Sequence, residues 1–436
     1  MPSASRPNIL LIMTDQQSAD TLSCAGNRYI RTPAMDRLAA SGVRFEKAYC
    51  TTPLCVPSRM SAMTGRMPRE VGAAINFKPQ PDAPHVPVLG RVLADAGYDP
   101  ALVGKWHLTF DTEAADIHGF SFPGPVRNNR VDFDIVDGCR GFLEKRREDP
   151  FFLAANFVNP HDICQWARGE ELPNGPIPAA PPPEECPPLP DNFTPPEGEP
   201  SVLREKVQPT HPKAYPTINW DEGRWRQYRW AYFQLVQKVD ADIGRLLELL
   251  EETGNARNTV VIFTSDHGDG SAHHRWNQKQ VLYDETARIP FIVSDPEGPD
   301  GTADHNHLVS MGLDLLPTVC DYAGTAVPDG LRGRSVRPLA RGQKPAWREQ
   351  IVIDTEFCSF GETTGITGRA LRTHQFKYTV YSEGERREQL FDMNTDPGEL
   401  ENLAANVSYR HVLEEHRSKL RAWCAETADT FAVPDT

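Results

Sequence analysis

Cys55-Val56-Pro57-Ser58-Arg59 sets a thiol at the start of a predicted helix and a guanidinium one turn later on the same face. A helix N-terminus and an arginine together lower a thiol's pKa and stabilise an oxyanion. The chemistry on offer is that of an activated nucleophile, although a lone cysteine is more often buried and inert. Two carboxylates close apolar runs: Asn8 to Thr14 ends in Asp15, and Thr259 to Ser265 ends in Asp266, with His267 beside it. Taken alone, Asp266-His267-Gly268 reads as a simple turn with a capping aspartate. Its match with Asp15 at a second run's end points instead to a shared site. Lys105 and His107 lie two residues apart in a predicted extended segment and so share a face. One can neutralise charge while the other moves protons, but an isolated pair of this kind says little.

Both acidic runs are continuously apolar, which suits strands buried on both faces of a parallel sheet. Pro100 to Val103, Phe151 to Phe157 and Ile289 to Ser294 read as further core strands. Between them, Pro87 to Ala96 reads as a helix closed by Gly97, and Tyr232 to Glu252 as a long amphipathic helix closed near Gly254. Strands alternating with helices predict an α/β fold, a large and mainly parallel sheet sandwiched by helices. Its ligands bind beyond the carboxyl ends of the strands, where Asp15 and Asp266 sit. Leu172 to Pro216 is crowded with proline and predicts an excursion without regular helix or central strand, either a wall of the substrate cleft or a mere connector. After about Trp347 the pattern changes. Ile351 to Glu356, Ala370 to Tyr381 and Gln389 to Asp392 predict a small antiparallel sheet, followed by a helix from Tyr409 to Ala425. The expected organisation is a catalytic part over 1–346 and a smaller α+β part over 347–436.

Composition excludes some partners. The 436 residues carry a formal net charge of −14 with no long basic run, which argues against a nucleic-acid-binding face. The apolar stretch Ile9 to Met13 is too short to span a bilayer, and no leader pattern precedes it, so the expectation is a cytoplasmic protein with no membrane partner. Nine scattered cysteines do not suggest a disulfide framework.

The cysteine segment, followed by Thr64-Gly65-Arg66, resembles the signature of the type I sulfatases, a branch of the alkaline phosphatase superfamily. The resemblance implies hydrolysis of sulfate monoesters by a cysteine oxidised after translation to formylglycine, and therefore a formylglycine-generating maturation enzyme as a partner. It continues along almost the whole chain. Asp15, Asp266 and His267 resemble metal ligands around residue 55, while Gln16 stands where relatives often carry a second aspartate. A glutamine carbonyl still coordinates a hard cation without adding charge. The implied cofactor is one divalent metal, calcium by family preference, with magnesium as the alternative. Gly104-Lys105-Trp106-His107 resembles the segment supplying a sulfate-binding lysine and a histidine, and Lys279 stands where a second such lysine falls. Tyr283 and Arg288-Ile289-Pro290 fit the same pattern. His161, within Asn159-Pro160-His161-Asp162, resembles the histidine that protonates the leaving alcohol.

On this reading Arg59 holds the hydrated residue 55, Lys105 and Lys279 bind sulfate oxygens, and His161 and His107 divide the acid and base roles, which sequence leaves exchangeable. His274, Arg275 and Trp276 are the candidates for substrate contact, and with Trp166 they suit a charged sugar ring, so a sulfated sugar is the expected substrate. Asp396-Pro397-Gly398-Glu399 and Asn402-Leu403 resemble a structural turn. Two other readings stand: a phosphonate or phosphate ester hydrolase of the same superfamily, and a non-catalytic relative that binds sulfated ligands.

Overall fold

Every second residue of the first strand faces a different core. Ile9, Leu11 and Met13 join one buried apolar cluster, and Leu10 and Ile12 join another. A strand covered on both sides has no solvent face, which is why its sequence shows no alternation. The computed structural model describes residues 6–76, 86–210, 216–359 and 361–435. Its main sheet is eight-stranded. The strands in chain order are β1 (Asn8–Asp15), β2 (Val43–Phe45), β3 (Ala48–Tyr49), β4 (Asp99–Lys105), β5 (Val126–Arg127), β6 (Phe151–Pro160), β7 (Thr259–Ser265), β8 (Phe291–Ser294), β9 (Thr302–Asp304) and β10 (Val309–Ser310). The sheet order is β5-β4-β6-β1-β7-β8-β2-β9, while β3 and β10 pair separately. β5, β4, β6, β1 and β7 run parallel, and β8 is antiparallel to both β7 and β2.

Register then fixes the site. Thr14 lies opposite Ser265, and Asp15 lies opposite Pro160. The residues leaving β1, β6 and β7 therefore emerge side by side at one edge, as expected for ligand-binding α/β sheets. β4 delivers Lys105 to the same edge. Gly104, at φ 101°, permits this, because a Cβ there would lie 2.1 Å from the Asn156 carbonyl oxygen of β6.

Helix Glu222–Glu252 crosses one face of the sheet, and its Val236, Val239 and Ile243 enter the same cluster as Leu10 and Ile12. It begins ten residues before the predicted start. Asp221 caps it by accepting from the Arg224 backbone N–H, and Trp225, Tyr228 and Arg229 are buried in its first turns. On the opposite face, helix Cys55–Thr64 packs against helix Met311–Ala323.

The C-terminal sheet is β11 (Gln350–Ser359), β12 (Glu362–Thr373), β13 (Phe376–Tyr381) and β14 (Glu388–Asp392), all antiparallel neighbours, with helix Arg410–Glu426 packed on it. The predicted single strand Ala370 to Tyr381 is in fact two. The Thr373 hydroxyl donates to the Phe376 carbonyl and accepts its N–H, closing a tight turn between them. The proline-rich stretch is also more regular than expected. Leu203–Val207 forms a π-helical turn that runs into helix Gln208–Thr210, because Leu203 and Val207, four residues apart, bury one side of it. Its described part packs on helix Glu222–Glu252 and on the loop before helix Arg410–Glu426, and does not line the cleft above residue 55. All nine cysteines are free thiols. Among the described residues no helix is long and apolar enough to cross a membrane.

Candidate active site

Helix Cys55–Thr64 is wholly buried and starts at Cys55, whose side chain meets the ends of β1 and β7. Cys55 Sγ lies 3.3 Å from His267 Nε2, 3.8 Å from Asp15 Oδ1 and 3.0 Å from Lys279 Nζ. Arg59, one turn on, braces both strand ends. Its Nε donates to Asp266 Oδ2 at 2.8 Å and its Nη2 to Asp15 Oδ2 at 3.1 Å. Lys105 Nζ donates to Asp15 Oδ2 at 2.5 Å, and Lys279 Nζ donates to Gln16 Oε1 at 2.9 Å. The sequence separation of these residues runs from position 15 to 279, and the sheet edge closes it.

Charge dominates here. Burial alone would raise the Asp15 carboxyl, but Lys105, His161, Lys279 and Arg59 together hold it well below the usual carboxylate range. Burial and the Asp15 charge oppose ionisation of Cys55, yet Lys279, Lys105 and His267 pull the thiol well below its ordinary value. Asp266 is pushed up to about 6, by burial and then by the Asp15 charge beside it. Two buried carboxylates that repel one another in this way are what a bound cation relieves.

The donor set fits such an ion. The ligand atoms of Asp15, Cys55, Asp266 and His267 all lie within 4.8 Å of one another. His267 Nδ1 is 2.9 Å from the Gly268 carbonyl, which fixes the tautomer so that Nε2 presents its lone pair to the group. Arg59 Nη1 is buried without a protein partner among the described residues. It remains for an oxygen on residue 55, and the Cys55 sulfur stands in for that oxygen.

Two histidines complete the floor. His161 follows β6, and its Nε2 is 4.0 Å from Asp15 Oδ1. Burial, and then the Lys279 charge, lower it to about 4. His107, at φ 44°, donates its backbone N–H to Asn128 Oδ1 at 2.8 Å, and burial followed by Lys105 lowers its imidazole. Both line a cleft of about 360 Å³ with Cys55, Lys105 and Lys279.

The structure therefore brings together Asp15, Gln16, Cys55, Arg59, Lys105, His107, His161, Asp266, His267 and Lys279. It does not bring His274, Arg275 and Trp276, the expected substrate contacts, to the cleft. His274 is buried and stacks on Tyr283 with ring centroids 3.9 Å apart, Trp276 is buried under Arg204, and Arg275 lies over Phe193. Trp166, the fourth sugar contact expected from sequence, also lies outside the cleft, packed against Trp220, Tyr228 and Arg224. Tyr283 and Arg288 are structural too, bonded to Glu199 and Asp20.

Sequence reasoning missed Asp269, which accepts from Gln16 Nε2 at 2.7 Å, and it missed Gln165 and Arg168 in the cleft wall. The helical period from His161 was the signal for the last two.

The family model for sulfatases matches residues 7–325. The chain belongs to the sulfatase family. The family model for the C-terminal part of N-sulphoglucosamine sulphohydrolase matches residues 272–426 of this sulfatase. A Δ4,5-hexuronate-2-O-sulfatase of Bacteroides thetaiotaomicron is 32% identical over 98% of this chain and 90% of its own. An N-acetylglucosamine-6-O-sulfatase of the same organism is 27% identical over 94% and 85%. The structure of a 2-O GAG sulfatase superimposes with a TM-score of 0.87 at 30% identity, covering 98% of this chain and 93% of its own. The activity is that of a sulfuric ester hydrolase.

Proposed function

We propose that this sulfatase cleaves a sulfate monoester of a carbohydrate, with residue 55 acting as a formylglycine nucleophile beside one divalent cation. The observation that carries the reading is the placement of Cys55 Sγ. It sits 3.0 Å from Lys279 Nζ, within the cluster of Asp15, Asp266 and His267, on the floor of an open cleft. Carbohydrate is favoured because relatives at 32% and 27% identity act on a hexuronate and on N-acetylglucosamine, as their names say. Amide side chains in the cleft wall match sugar hydroxyls.

Asp15, Gln16, Asp266, His267 and residue 55 would hold the cation, calcium in our reading for an oxygen-dominated set. When bound, the cation supplies positive charge that makes an oxygen nucleophile available at neutral pH. Oxidation of Cys55 by a maturation enzyme supplies the aldehyde whose hydrate can attack sulfur and later release it. The rest is the work of the chain's own side chains. Arg59 bridges Asp15 and Asp266 and holds both in place, leaving Nη1 for an oxygen on residue 55. Lys105 and Lys279 supply cationic donors for the sulfate oxygens. His161, on the cleft side of Asp15, is held neutral by burial and by Lys279 until a sulfate anion offsets that lysine. So compensated, it can carry a proton to the departing alcohol, while His107 takes one from residue 55.

The test is mass spectrometry of the peptide containing residue 55, from protein made with a maturation enzyme, alongside turnover of sulfated monosaccharides. A peptide carrying the aldehyde, with turnover abolished in Cys55→Ala, is the expected result. Full activity with an unmodified thiol would overturn it.

A further inference from the structure

His161, Gln165 and Arg168 stand at positions i, i+4 and i+7. Backbone bonds from Cys164 to His161 and from Gln165 to Asp162 start the helical turn early, and helix Ile163–Arg168 continues it. A 3.6-residue period puts these three side chains on one face, with Arg168 about 10 Å along the axis from His161. All three line the cleft above residue 55.

Beside Leu54, Cys358 and Ser359, the rest of that lining is rich in amides. Six amides, Asn76, Asn128, Asn129, Gln165, Gln278 and Gln280, face it, and among the described residues no carboxylate does. Gln165 Oε1 is buried without a protein partner among the described residues, an acceptor placed for a hydroxyl. The cationic side chains are Lys105, Lys279 and Arg168. The two lysines lie at the floor, against Asp15, Gln16 and Cys55. Arg168 lies at the wall, with its side chain 23% exposed and a single bond from Nη2 to Glu170 Oε2 at 2.8 Å. Glu170 is half exposed, so this pair is weak and readily exchanged.

A chain of net charge −14 that keeps carboxylates out of one cleft and sets a third cation at its wall is shaped for more than one negative group. The geometry points to Arg168 as the residue that reads a second anionic group on the substrate, at the cleft wall rather than at the floor where the scissile sulfate binds. The planar guanidinium matches a carboxylate or a second sulfate through paired N–H donors. The substrate class is therefore an acidic sugar, either a sulfated uronic acid or a doubly sulfated sugar, rather than a neutral sugar monosulfate. This rests on the carbohydrate sulfatase reading above.

Matched pairs of substrates test it. One pair is a sulfated hexuronic acid against the neutral hexose sulfated at the same position, and the other is a disulfated against a monosulfated glucosamine. The parent enzyme should prefer the acidic member of one pair by about 10–100-fold in kcat/KM, mostly through KM. The preference should collapse towards unity in Arg168→Ala and recover only partly in Arg168→Lys, which keeps the charge but not the fork. Using the ratio within a pair cancels any general loss of activity, and a melting curve checks the fold. Which pair shows the preference separates carboxylate from sulfate. A parent that turns over both members equally, or a preference intact in Arg168→Ala, would overturn the assignment while leaving the carbohydrate reading standing. Turnover of 4-nitrophenyl sulfate alone, with no sugar sulfate cleaved, would overturn both.

Discussion

The side-chain amide nitrogen of Gln16 donates to Asp269 Oδ2 at 2.7 Å, and this bond decides which end of the amide faces residue 55. Asp269 is itself held by the Tyr228 hydroxyl and by the backbone N–H groups of Ser271 and Gln278. Gln16 Oε1 is thereby turned to Lys279 and the ligand cluster, where a carbonyl can serve a hard cation. Asp269→Asn frees the amide to turn over. We expect calcium affinity to fall by about 10–100-fold, read by calorimetric titration of chelator-treated protein. Gln16→Asp, which adds a negative ligand, should tighten binding. Unchanged affinity in a folded Asp269→Asn protein would remove Gln16 from the ligand set.

The two histidines can be told apart by leaving group. An aryl sulfate expels a stable phenolate and needs little protonation, whereas a sugar alcohol needs a great deal. If His161 is the acid, His161→Ala should lose about 10²–10⁴-fold in kcat on a sugar sulfate and much less on 4-nitrophenyl sulfate. His107→Ala should lose similar amounts on both. The reverse pattern would exchange their roles.

Much of this site was legible because its elements are extreme. β1 and β7 are continuous apolar runs with a single carboxylate at the end, so burial on both faces and the position of Asp15 and Asp266 follow together. The spacing from Cys55 to Arg59 gives one helical turn directly. The segment 271–280 was not legible in the same way. Ser271, Ala272, His274, Arg275, Gln278 and Gln280 all have positive φ, between 43° and 76°. No strand or helix period survives such a run, so closeness to Lys279 in sequence says nothing about where His274 or Trp276 points. Asp269 was passed over for a related reason. Its partners come from Gln16, Tyr228 and Gln278, and only the fold gathers them.

Lys377 tests the joint between the two sheets. It lies on β13 with its side chain fully buried, and its Nζ is 2.8 Å from Asp284 Oδ1 and 2.9 Å from Glu399 Oε1. Burial would lower this ammonium, but Asp284 and Glu399 raise it above its ordinary value. Burial pushes the Glu399 carboxyl up to about 8, so Lys377→Met strands chiefly the buried charge of Asp284 and should cost about 3–5 kcal/mol in denaturant unfolding. Adding Asp284→Asn to that variant should recover part of the loss, since the stranded charge is then gone. A single variant as stable as the parent would show that Arg372 and Arg288, whose charges also act on Asp284, suffice.

Asp132 predicts how stability depends on pH. Its carboxylate accepts the backbone N–H groups of Val158 and Asn159 at 2.7 and 2.8 Å, just before the turn that carries His161. Burial, opposed by these two bonds and aided by Asp162 and Asp242, pushes it up to about 7. An aspartate in the unfolded chain titrates near 3.9, so between about pH 4 and pH 7 the folded protein holds a proton that the unfolded chain has lost. Stability from this residue is therefore present at the acid end of that window and falls as pH rises through it, on the order of a few kcal/mol at most. Asp132→Asn should flatten this slope, measured as urea midpoints from pH 5 to pH 8. It should also lower stability throughout, because an amide offers only one oxygen to two N–H donors. A slope that persists in Asp132→Asn would assign the pH dependence to another group.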